Sequence, residues 1–85
     1  MEFNDTEKKL IEKADFYRLN EIKAHVFIIP KPKFKNGLFA SELQTLNGKS
    51  FWWFIENTSA IPIRLFLFEV YDIEDYRERE VENGK

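Results

Sequence analysis

Hydrophobic positions in the first quarter of the chain recur with a helical period. Leu10, Ile11, Ala14 and Tyr17 fall on one stripe, while Glu7, Lys8, Lys9, Glu12 and Lys13 fall opposite it. This spacing predicts an amphipathic helix over residues 5–19. Asn4 or Asp5 can cap it, and Glu7 stands three residues after Asn4, the separation of a capping box.

After residue 21 the pattern turns to β-branched and aromatic runs, as in Ile22–Ile29, Phe51–Ile55 and Ile61–Tyr71. Asn36-Gly37 and Asn47-Gly48 stand between apolar runs, the strongest short-range signal for a hairpin. Strands are therefore expected near 22–35, 38–45, 49–56 and 61–71, followed by a charged segment at 73–85. The predicted fold is α+β: an N-terminal helix packed on a four-stranded antiparallel β-meander, ending in an acidic C-terminal helix or tail. All 85 residues form one domain, since a chain this short cannot build two cores.

Strand parity sharpens the expectation. With Asn36-Gly37 as a two-residue turn, Lys35 opposes Leu38, and the backbones of Pro30, Pro32 and Phe34 point to an open edge, where proline is tolerated. A second two-residue turn at Asn47-Gly48 would then ask residues 40 and 42 to bond both neighbours. A three-residue loop, Leu46-Asn47-Gly48, removes the conflict and places Thr45 opposite Lys49; a bulge in the second strand serves equally well. In this register one face carries Val26, Ile28, Phe34, Phe39, Leu43, Phe51, Trp53 and Ile55, a seat for the helix. The other carries Phe27, Ile29, Leu38, Leu46, Trp52 and Phe54, among His25, Lys31, Lys33, Lys35, Glu42 and Gln44.

Charge is unevenly spread. The net charge is −2, which disfavours a general binder of nucleic acid or membrane. Residues 21–37 hold four lysines against Glu21, whereas residues 69–85 hold seven acids against three bases, so the two segments can attract one another. No apolar run approaches the ~20 residues of a spanning helix, the first residues do not resemble a signal peptide, and there are no cysteines. The chain reads as cytoplasmic. Its abundant Phe, Ile, Lys and Asn suggest AT-rich coding, in keeping with a bacterial or phage regulator or inhibitor.

Candidate chemistry is sparse. His25 is the lone histidine, the serines and threonines lack a nucleophile context, and three isolated glycines cannot cradle phosphate. A non-enzymatic role without cofactor or metal is expected. Adjacent Trp52 and Trp53 invite comparison with the paired tryptophans of small β-barrel peptide-binding modules, but the acidic loop and proline-bearing closing strand of those modules are not in register, so no family follows.

Nine Phe, two Trp and three Tyr in so short a chain exceed what one helix can cover. The expected binding residues are Trp52, Phe54, Phe27 and Ile29, rimmed by Lys31, Lys33 and Lys35. The expected function is protein binding through this aromatic face, as a homodimer or as a small adaptor or inhibitor docked on a larger protein. The alternatives are a single-stranded nucleic-acid binder using the same aromatics and the 31–35 lysines, and an accessory subunit of an enzyme complex.

Overall fold

The computed structural model describes residues 2–30 and 34–77. One helix, α1 (Asp5–Asn20), precedes six strands: β1 (Ala24–Ile28), β2 (Lys35–Phe39), β3 (Gln44–Leu46), β4 (Lys49–Glu56), β5 (Ile63–Phe66) and β6 (Val70–Asp75). A 3-10 turn, Leu67–Glu69, joins the last two. The fold is α+β with an antiparallel sheet. No helix among the described residues is long and apolar enough to cross a membrane.

The helix begins as its sequence dictates. Glu7 N–H donates to Asn4 Oδ1 at 2.8 Å and Asn4 N–H to Glu7 Oε1 at 3.0 Å, so two otherwise orphaned donors satisfy each other. The helix stops at Glu21, which adopts a left-handed conformation (φ 54°) while Ile22 N–H bonds back to Tyr17 O. Its buried stripe is Leu10, Ala14 and Tyr17.

The sheet is not the expected meander. Residues 51 and 54 of β4 each pair with β5 on one side and with β3 or β2 on the other. β2 and β3 are thus two halves of one column, interrupted at residues 40–43, and the columns run β5, β4, β2/β3, β1, β6. Laid flat, the outer columns would stand ~19 Å apart, at ~4.8 Å per strand. The chain from Phe66 to Val70 reaches at most ~14 Å. The sheet must therefore curl, and the 3-10 turn bridges its two edges.

Three expectations are corrected here. Asn36-Gly37 is not a turn but lies inside β2, paired with His25 and Ala24 of β1. A Cβ on Gly37 would meet the Ile55 carbonyl oxygen and come within 2.8 Å of Phe54 Cζ, so the glycine serves the close approach of β2 to β4. The chain reverses instead between Ile28 and Lys35, which ends the expected 22–35 strand at Ile28.

At Asn47-Gly48 the loop has two residues, not three: Leu46 pairs with Lys49, and both loop residues have positive φ (53° and 77°). The parity conflict falls away with the first turn it assumed, and the second strand breaks at residues 40–43, where its register against β4 shifts by two residues. There Ala40 N–H bonds Trp53 O, and Ser41 Oγ takes the Trp53 N–H.

The expected strand 61–71 is divided by the 3-10 turn, and β6 continues through the acidic residues to Asp75. Pairing with β1 holds it there: Phe27 faces Asp72 but Ile28 faces Val70, leaving Tyr71 as the extra residue of a bulge. The bulge turns both Val70 and Ile73 inward and leaves Tyr71 exposed. The expected C-terminal segment from residue 78 onward lies outside the described residues.

The core fills the concave side of the curl. Val26, Phe39, Trp52, Phe54, Leu65 and Ile73 are buried there together with the stripe of α1, which packs against β2 and β6. The strand glycine and the loop glycine are expected to respond differently. Gly37→Ala should cost about 3 kcal/mol or more, because backbone must move. Gly48→Ala, with open space around its Cβ, should cost only the ~1–2 kcal/mol of a left-handed alanine. Urea midpoints of the two variants provide the measurement.

Candidate functional site: an aromatic and cationic outer face

Because β4 alternates, burial of Trp52 and Phe54 sends Phe51, Trp53 and Ile55 to the convex side. This corrects the expected faces of β4, and with them two of the candidate binding residues. Trp52 and Phe54 are both 0% exposed and lie in the core, so neither offers its ring to a partner. The cause is a one-residue difference in register, which exchanges every side chain between faces. Among the other candidates, Phe27 is half-buried, Ile29 is exposed just beyond β1, and Lys35 opens β2 opposite Val26. Lys31 and Lys33 lie outside the described residues.

The structure brings together a different set. Phe51 and Trp53 meet edge-to-face at 5.5 Å, Phe51 lies 5.5 Å from Phe66, and Phe66 lies 5.8 Å from Phe68. Arg64, the cross-strand partner of Trp53, holds its guanidinium 5.2 Å from that ring and 5.6 Å from Phe51. Lys49 Nζ stands 5.5 Å from the Phe68 ring. These are cation–π distances. Phe51 is buried beneath its neighbours, Trp53 and Phe66 are half-buried, and Phe68 is 61% exposed. Leu46, cross-strand from Lys49, extends the apolar surface.

The electrostatics of this face follow from composition. Within residues 44–55 and 63–68 the only charged side chains are Lys49 and Arg64. The acids Asp72, Glu74 and Asp75 lie on β6, at the far end of the sheet order, where Lys13 pairs with Asp72 and Arg77 with Asp75. A cleft of about 210 Å³ adjoins the face, between Phe3 and Glu7 on one side and Lys49 and Phe68 on the other.

A second aromatic cluster lies along β1. His25, which is buried, stacks on Tyr76 at 4.9 Å and meets Phe34 at 3.9 Å, while Phe34 also contacts Phe27 at 5.5 Å. Phe27 belongs to this group. Among the described residues no three His, Cys, Asp or Glu side chains are grouped to hold a metal ion.

Sequence reasoning did not select Trp53, Phe66, Phe68, Lys49 or Arg64. One signal for them was present: Arg64 is the only charge in the twelve residues 57–68, a position that apolar burial on both sides would not tolerate.

The two tryptophans should differ sharply. Trp52→Ala opens the core and should cost about 3–5 kcal/mol. Trp53→Ala should leave a folded protein about 1 kcal/mol less stable. Denaturant midpoints for the pair decide it, and equal losses would contradict the assignment of faces. Comparison with known protein families, curated proteins and solved structures finds no match for this chain.

Proposed function

We propose that this chain is a non-enzymatic protein-binding module, that its contact surface is the convex face of β3, β4 and β5, and that its partner presents apolar side chains flanked by carboxylates. One observation carries the reading: the exposed rings of this face are accompanied by two cations and no acid within their stretches of chain. An apolar partner surface covers Trp53, Phe66 and Phe68. Its carboxylates meet Arg64 and Lys49, already held in place over the rings. Docking on a larger protein, as an adaptor or inhibitor would, suits a patch of this kind better than catalysis does.

A second reading rests on the same side chains. Aromatic rings beside cations make a stacking platform for single-stranded nucleic acid. Two cations and a net charge of −2 make this the weaker reading.

Capture of acidic-apolar peptides from a synthetic library, with affinities measured across salt concentrations, tests the proposal. Arg64→Glu should weaken binding about 30-fold or more, corresponding to ~2 kcal/mol at a hot spot, without loss of fold. Lys13→Glu, a charge reversal on α1 beside β6 and outside the proposed face, should leave affinity unchanged. Tighter binding to an oligonucleotide than to any peptide at physiological salt would replace this reading with the second one. Sedimentation of the free protein separates either from self-association.

A further inference from the structure

Two edges of the curled sheet, β6 and β5, are finished in opposite ways. On β6, Ile73 turns its backbone outward and both groups are occupied: its N–H donates to Asp72 Oδ1 at 2.8 Å, and its carbonyl accepts from Lys13 Nζ at 3.0 Å. Lys13 also reaches Asp72 at 3.2 Å. A helix side chain and an aspartate thus close that edge to further pairing.

On β5 the orientation follows from β4. Trp53 directs its N–H and carbonyl toward the β2/β3 column, where Ser41 Oγ and Ala40 N–H take them. Alternation then aims Trp52 and Phe54 at β5, so their partners Leu65 and Ile63 bond inward. Arg64 and Phe66 must direct their backbone groups to the open side. As N-cap of the 3-10 turn, Phe66 gives its carbonyl to the turn's first bond. Among the described residues no hydrogen bond from another element occupies the Phe66 N–H or the two groups of Arg64, and β5 pairs only with β4. These same two residues place their side chains on the aromatic convex face.

We infer that β5 is a strand-addition site: an extended segment of the partner pairs antiparallel with Arg64 and Phe66, in keeping with every other pairing in the sheet. This rests on the proposed protein-binding reading and specifies its geometry. Residues directly opposite one another in a ladder share a face. The partner residue facing Phe66 therefore lays its side chain on the Phe66–Phe68 surface, and the residue facing Arg64 sits beside the guanidinium. Antiparallel direction orders them. The partner carries an apolar residue, one spacer, then Asp or Glu. Pro62, without an N–H, sets the start of the site, so recognition is confined to a short motif.

The test uses the full chain and a capped nonapeptide centred on Phe-Thr-Glu. N-methylation of the peptide's Glu removes the amide that faces the open Arg64 carbonyl; N-methylation of the central Thr removes one facing solvent. The first should lower affinity at least tenfold by calorimetry, and the second less than twofold. In the complex, exchange of the Arg64 and Phe66 amides should slow at least tenfold, while the already bonded Ile63 and Leu65 amides should not change. Equal affinity of the two methylated peptides would overturn strand addition and leave the face itself as the binding site. Failure of every peptide to bind at millimolar concentration would overturn both.

Discussion

Which way β4 faces governs the rest of the molecule. It is the longest strand, it has neighbours on both sides, and it carries the run Phe51-Trp52-Trp53-Phe54-Ile55, whose members cannot all point the same way. A two-residue turn at Asn47-Gly48 and an interruption at residues 40–43 fix its phase against β2 and β3. Once Trp52 and Phe54 are committed to the concave side, Phe51 and Trp53 have no alternative to the convex one, and Arg64 and Phe66 follow them across the ladder. Core and candidate surface are two outcomes of one alternation. Gly37 guards that choice at the other end of the strand, where any side chain would push β2 away from Ile55 and Phe54.

Closure of the sheet decides where charge can act. The 3-10 turn of three residues joins edges that lie at opposite ends of the hydrogen-bonded order, so the cationic β5 and the acidic β6 are adjacent in sequence but belong to different ends of the ladder. The lysine-rich and acidic segments meet through β1 and β6, where His25 faces Glu74 and Lys23 O accepts from Tyr76 N–H. Among the described residues the ion pairs of the acidic strand are made instead by Lys13 of the helix with Asp72 and by Arg77 with Asp75.

The helix was legible in the sequence because a 3.6-residue period and a capping box are local properties that need no knowledge of the rest of the chain. The bounds of β4 were legible for the same reason, since a turn residue precedes it and a polar run follows. The sheet order was not. Asn36-Gly37 carries the same signal as Asn47-Gly48, but one glycine supplies left-handed backbone and the other supplies room, and only the neighbouring strand distinguishes them. A misread first hairpin placed β1 on an edge it does not occupy. A one-residue difference at the second then exchanged Trp52 for Trp53. The expected open face inherited this error in part: Trp52 and Phe54 lie in the core, while Ile29 is exposed and Phe27 half-buried. The acidic strand β6 was hidden for another reason. Its inward positions, Val70 and Ile73, are three apart because Tyr71 bulges, which spoils the two-residue period that marks a strand.

The contact of Lys13 with Asp72 and Ile73 joins events that are usually separate. A residue from the first element of the chain closes the backbone of the last, so helix docking and edge protection are achieved in one step. A nascent or partly unfolded chain with α1 undocked would present an additional unsatisfied edge, on a sheet already rich in large rings. In the native protein the helix occupies the backbone of β6 at Ile73, and β5 has no such cover among the described residues.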